Sequence, residues 1–160
     1  MQIHSMSQNL QIAPAEPEDF EWSARLMAST DPWITLRADL ALCLDRVHAP
    51  GRELWMAREG NQRLGFILLA PNGFAGSPYV ASFCLAPEAR SRGVGAALLE
   101  FAERHFAGRR FLFLLCSSFN QRAQKFYLRQ GFTITGELKD YIVPGHSELI
   151  FWKPIAGAAK

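Results

Sequence analysis

Two segments of this 160-residue chain place glycines and polar side chains at spacings that suit chemistry. The first, PEARSRGVGAALL at residues 87–99, joins an expected strand to an expected helix through a glycine-containing loop. A turn of that kind presents free backbone N–H groups at the positive end of the helix dipole, which suits a phosphate or pyrophosphate. Gly93 and Gly95 have no Cβ to keep a phosphate off the main chain, and Arg90 and Arg92 add positive charge. Three phosphate-binding patterns compete here. The P-loop ending in Gly-Lys-Ser/Thr is absent. The dinucleotide fingerprint fails, because its third glycine falls on Leu98 and six residues separate Ala86 from Gly93. The third pattern, a Gln or Arg with glycines three and five residues later, is matched by Arg90, Gly93 and Gly95. Taken alone it is equally well explained by glycines that turn the chain and arginines that face water.

The second segment is Asn120-Gln121-Arg122-Ala123-Gln124-Lys125-Phe126-Tyr127-Leu128-Arg129-Gln130-Gly131-Phe132. Periodicity by itself makes Tyr127 and Phe126 core residues and Asn120 a helix cap. With both segments in hand, the chain resembles the GCN5-related N-acetyltransferase superfamily. The first segment resembles that family's acetyl-CoA pyrophosphate loop, and the second its N-x-x-A-x-x-F-Y-x-x-x-G-F signature. The resemblance covers about residues 8–153, and the two motifs in this order are far more specific than either alone.

The resemblance implies a role for each matching residue. The backbone of Arg90, Ser91, Arg92, Gly93, Val94 and Gly95 is expected to cradle the coenzyme A pyrophosphate. The main chain near Leu85 is expected to pair with the pantetheine arm and to polarise the thioester carbonyl, where a fixed amide dipole stabilises developing charge. Asn120 matches a coenzyme contact. Tyr127 matches the tyrosine that protonates the leaving thiolate. Acetyl-CoA is then the acyl donor, and no metal is expected. Catalysis also needs a neutral amine, yet neither strand 79–85 nor strand 111–116 contains a carboxylate or histidine. Proton loss through water is therefore the default, with Asp140, Tyr141, His146 and Glu148 as relays. In this family the acceptor is framed by the first two helices with their loop, and by the loop between the last two strands. Asp31, Trp33, Asp140 and Tyr141 are the substrate-binding candidates, two to attract positive charge and two to enclose. Trp33 is equally readable as a cover for the core edge.

The elements needed to hold these residues are legible in outline. A strand near 8–12 precedes a helix opened by Pro17, with Glu18 and Asp19 in its first turn. Leu36, Leu40, Cys43, Leu44 and Val47 predict a second helix over 35–47. A hairpin turning at Asn61-Gln62, a loop over 71–78 and a strand over 79–85 follow. A helix over 93–106, a buried strand over 111–116, a helix to Gln130 with Ser118 and Gln121 as its capping box, and strands near 132–138 and 148–152 complete the order. The expected fold is α/β: a single N-acetyltransferase domain over 1–160, with a mixed, mostly antiparallel sheet of about seven strands and about four helices.

Composition narrows the function. The chain is 49% hydrophobic with a net charge of +2, which argues against disorder and against a general nucleic-acid binder. The total hides a split: residues 1–59 hold nine acids and five bases, residues 60–160 six acids and twelve bases. A polyanionic coenzyme suits the basic part, and a cationic amine the acidic part. No apolar run is long enough to span a membrane, and the first ten residues do not read as a signal peptide. Cys43, Cys84 and Cys116 read as reduced core residues of a cytoplasmic protein, and no paired Cys or His suggests zinc. The expected activity is transfer from acetyl-CoA to a small amine, a peptide N-terminus or a lysine. The alternative is a non-catalytic acyl-CoA-binding sensor or interaction module. A homodimer through the last strands is the family's common assembly.

Overall fold

The computed structural model of the protein describes residues 9–157. Its elements in chain order are β1 (Leu10–Pro14), α1 (Pro17–Ala28), α2 (Leu40–His48), β2 (Glu53–Glu59), β3 (Gln62–Phe74), β4 (Ser77–Leu85), α3 (Val94–His105), β5 (Phe111–Ser117), α4 (Gln121–Arg129), β6 (Thr133–Leu138) and β7 (Glu148–Pro154). The seven strands form one sheet in the order β1-β2-β3-β4-β5-β7-β6. Every ladder is antiparallel except β4–β5. The mixed α/β fold is therefore as expected; Gln8, placed in the first strand from sequence, lies outside the described residues.

Local chemistry moves several boundaries. Pro17 does open α1, and Glu16 and Asp19 form a reciprocal capping box there. The second helix starts later than its apolar spacing predicts. Residues 31–37 instead form a run of turns, Arg37 adopts φ +58°, and Asp39 caps α2 by accepting from the Leu42 N–H at 2.9 Å. Leu36 therefore belongs to the turn that precedes the cap. At α4, Asn120 is the cap, accepting from the Ala123 N–H at 3.2 Å. Ser118, expected to open that helix, accepts instead from the Ser147 N–H at 3.1 Å and ties the last connection to β5. The expected 71–78 loop is mostly strand: β3 runs to Phe74 and turns at Ala75-Gly76.

Two apolar layers sandwich the sheet. Leu64, Ile67, Leu69, Leu112, Leu114 and Phe151 pack with Leu98, Leu99 and Ala102 of α3 and with Tyr127 of α4. Met56, Phe66, Leu68 and Cys84 pack with Ala24 and Met27 of α1 and Cys43 and Val47 of α2. The three cysteines are free and buried. Asp19, fully buried, pins α1 to the sheet through Arg58 and through Arg63 Nε at 2.7 Å. No described helix is long and apolar enough to cross a membrane.

One irregularity dominates the site. The β4–β5 ladder consists only of Tyr79–Phe113 and Val80–Leu114. A register shift against β3 follows at Leu68–Leu69, leaving Ala81 as a bulge. Beyond it β4 and β5 no longer pair, and the sheet has a seam.

Candidate active site

The seam opens into a cavity of about 1250 Å³. It draws walls from both helical layers, so it passes through the sheet from the α3–α4 face to the α1–α2 face. A space this large, above the ~300–1,000 Å³ of ordinary ligand sites, suits two ligands meeting in the gap.

On the α3–α4 face the chain leaves β4 through a short 3-10 turn at Pro87–Ala89 and enters α3 at Gly93. Gly93 is in the left-handed region, φ +82°, and has no side chain to cap the helix. The first helical bond there runs from the Ala97 N–H to Gly93 O at 3.1 Å. The N–H groups of Val94, Gly95 and Ala96 therefore have no helical acceptor and sit at the positive end of the dipole. Arg90, Ser91, Gly93 and Gly95 line the cavity, with Asn120, Arg122 and Arg129 across from them. The donor set of free N–H groups and of arginines in no ion pair among the described residues fits a pyrophosphate.

The two glycines have different jobs. A Cβ on Gly93 would meet nothing, so its glycine serves the backbone angle. A Cβ on Gly95 would stand 3.1 Å from Phe126 Cζ and 3.2 Å from Phe83 Cζ. Gly95 thus makes room for the stacked Phe83–Phe126 pair under α3, where close phosphate approach was expected to be its purpose.

Leu85 is the last residue of β4 and lines the cavity. The Ala86 N–H bonds Leu64 O at 2.9 Å, which puts Leu85 and Phe83 in the alternate positions of the β3–β4 ladder. Their N–H and C=O groups point the other way, into the unpaired seam. Tyr127 reaches the same seam from α4. It is buried against Phe83, Phe132 and Phe151, and its hydroxyl lies in electrostatic reach of Cys84, Cys116 and Tyr79. Burial pushes that hydroxyl strongly upward, so it stays protonated at any ordinary pH. Burial also raises the Cys84 and Cys116 thiols to about 12.

On the α1–α2 face the cavity is lined by Asp31, Trp33, Arg46, Arg52, Tyr79, Tyr141 and Glu148. Trp33 is 9% exposed, so it covers the core edge and walls the cavity at once. Asp31 Oδ1 is engaged by the Thr35 N–H and hydroxyl, at 3.1 and 2.7 Å. Tyr141 stands at the rim, 62% exposed.

Three expected site residues are not among the cavity walls. Arg92 pairs with Glu59 at 2.8 Å, the Val94 side chain is buried in the core, and Asp140 Oδ1 accepts from the Gly145 N–H at 2.7 Å. His146 packs edge-on against Phe119.

The sequence matches the acetyltransferase (GNAT) family over residues 11–132. The chain belongs to the GNAT acetyltransferase family. Its fold is that of solved relatives. A protein from Desulfovibrio desulfuricans assigned to the GNAT family superposes with a TM-score of 0.75 at 22% identity, covering 92% of this chain and 99% of that one. The spermidine N-acetyltransferase of Vibrio cholerae with CoA and spermine gives 0.71 at 14%, covering 94% and 98%. The ribosomal-protein-S18-alanine N-acetyltransferase of Escherichia coli gives 0.70 at 17%, covering 94% and 97%. No curated protein sequence matches the chain.

In this acetyltransferase one of the four relay residues named from sequence, Glu148, stands apart from the others. Glu148 stands at the first position of β7, opposite Ser117 of β5, and is 3% exposed. Ser117 Oγ donates to its Oε1 at 2.6 Å. It lies on neither β4 nor β5, but the β5–β7 ladder brings it beside Ser117 at the end of β5. No local pattern singles it out over the other three, because its partner Ser117 is 31 residues away.

Proposed function

We propose that the protein transfers an acetyl group from acetyl-CoA directly to an amine, with both substrates bound. The observation that carries this reading is the seam itself. It has uncapped helix N–H groups on one face, a buried carboxylate on the other, and outward-facing main-chain donors between them. Val94, Gly95 and Ala96 N–H groups with Arg90 would hold the pyrophosphate, and Arg122 and Arg129 add charge for the coenzyme's phosphates. Leu85 and Phe83 offer their main chain to the pantetheine arm and a donor to the thioester oxygen. Acetyl-CoA supplies the activated acyl group.

Glu148 takes a proton from the incoming ammonium. The freed nitrogen forms the new C–N bond as the C–S bond breaks. Tyr127 gives its hydroxyl proton to the departing sulfur, and the second proton leaving nitrogen replaces it through water. The balance is one amide, one free thiol and one proton released. Cys84 and Cys116 are held as neutral thiols by burial, which favours direct transfer over an acetyl-cysteine.

The test is a panel of amines, including polyamines, amino acids and peptide N-termini, followed by thiol release and by the mass of the acetylated product. Transfer to one acceptor class supports the reading. Coenzyme binding in calorimetry with no transfer to any amine overturns it in favour of a non-catalytic acyl-CoA sensor.

A further inference from the structure

Resting on that reading, we infer that the acceptor carries a carboxylate as well as its amine, with the carboxylate held by Arg46 and Arg52 and the ammonium by Glu148. Both arginines line the cavity on the α1–α2 face, the face that Glu148 also lines. Neither Arg46 nor Arg52 sits in an ion pair among the described residues, although both are half-buried, as are the paired Arg58 and Arg63. What they do touch is neutral. Arg46 Nη1 donates to the bulge carbonyl of Ala81 at 3.3 Å, and Arg52 Nη1 donates to the Arg46 carbonyl at 3.0 Å. Each guanidinium has five N–H donors, so most of each fork is left for a ligand.

The two like charges are half-buried and close together, and the one buried carboxylate acting on them is Glu148, through Arg46, which leaves a positive charge over for a ligand anion. Burial, then the Arg46 charge, holds the Arg52 guanidinium below its ordinary value. The fork of an arginine matches a carboxylate with two parallel hydrogen bonds. Glu148 supplies the opposite sign. Its Oε1 is occupied by Ser117, and no described donor engages Oε2. Arg46, Arg52, Glu148 and Tyr79 all line the same cavity, and all three charged groups act on the Tyr79 hydroxyl. Cation pair and carboxylate facing one space complement a zwitterion. A polyamine would set its second ammonium against the arginines. Trp33, Phe74 and Tyr79 are also among the cavity walls, so an acceptor with an apolar or aromatic body fits the same space.

The experiment compares phenylalanine, phenylalaninamide, phenethylamine and spermidine as acceptors, by thiol release with acetyl-CoA. In the wild-type protein the kcat/KM for phenylalanine is expected to exceed that for phenylalaninamide by about 10- to 100-fold, the worth of a charge-assisted pair of hydrogen bonds. In Arg52→Gln that ratio falls toward one. Because the ratio is taken within one preparation, partial misfolding cancels. Arg52→Lys, which keeps the charge and loses the fork, is expected to fall between. Equal or greater activity on the amide or on spermidine in the wild type overturns the inference, as does a ratio unchanged in Arg52→Gln. Transfer to spermidine or the amide alone would sink the carboxylate and leave acetyl transfer standing. No transfer to any amine would sink the proposed activity itself.

Discussion

Ser117 Oγ donates a 2.6 Å hydrogen bond to Glu148 Oε1 across the β5–β7 ladder. Burial raises the Glu148 carboxyl above its ordinary value, and the Ser117 bond and the Arg46 charge pull it part of the way back. A base of this kind works when ionised, so turnover falls as pH drops through its raised value. Ser117→Ala removes a lowering influence and is expected to move the acidic limb of kcat/KM to higher pH. Glu148→Gln is expected to cut turnover by about 10²- to 10⁴-fold and to flatten that limb. A Glu148→Gln pH profile that keeps the wild-type limb would remove Glu148 as the proton acceptor.

Tyr127→Phe keeps the ring that packs on Phe83 and Phe151 and loses only the hydroxyl. Turnover is expected to drop about 10²-fold or more, with the coenzyme dissociation constant changed little. Steady-state kinetics paired with calorimetry separates the two. Unchanged turnover on several acceptors would leave Tyr127 a packing residue.

Gly93→Ala and Gly95→Ala should fail for different reasons. The first strains a left-handed backbone in open space and costs about 1–2 kcal/mol of stability. The second drives a methyl group into the Phe83–Phe126 stack and costs about 1–3 kcal/mol. Because that stack lies beneath the start of α3, Gly95→Ala should also weaken coenzyme binding. Enlarging the space with Phe126→Leu is expected to restore part of the Gly95→Ala loss, and an additive double mutant would count against the packing explanation.

Asp19 anchors α1 to β2 and β3. Burial would raise its carboxyl, but the Arg63 bond, the Glu16 N–H and Arg58 outweigh burial and hold it below the ordinary value. A depressed carboxyl contributes stability that is present above the unfolded-state value and is lost as pH falls through the folded one. Asp19→Asn leaves Arg58 and Arg63 without their anion and is expected to cost about 3–5 kcal/mol. Urea unfolding at neutral pH reads the loss. The deficit relative to wild type should shrink in acid, and a constant deficit would contradict the assignment.

The sequence showed most clearly what depends on local rules. Pro17, the Gly93 turn, Asn120 with Tyr127, and the apolar alternation of the strands each act over a few residues, and the elements they announce are present. What it hid depends on long-range pairing. The α2 start was misplaced because Leu36 keeps the apolar period while Asp39 takes the cap. Ser118 looked like a cap and bonds Ser147 instead, 29 residues away. The charge split suggested an acidic acceptor side. In the fold its acids are largely spent on caps and ion pairs, at Asp39, Asp31, Asp19 and Glu59, while the same half sends Arg46 and Arg52 into the cavity. Net charge counts side chains; it does not say which face they serve.

The two-residue β4–β5 ladder makes the sheet mechanically two plates, β1–β4 and β5–β7, riveted at Tyr79–Phe113 and Val80–Leu114. An extended ligand arm lying in the seam would occupy the place of a missing strand. Such a ligand binds the folded chain and not the unfolded one. At a hundredfold excess over its dissociation constant it would therefore add about 2.7 kcal/mol of stability. The amides of Phe83 and Leu85 should then exchange with solvent more slowly. The gap proposed for the donor is also the least supported line in the sheet, so a bound donor would brace the fold where its own strands leave it open.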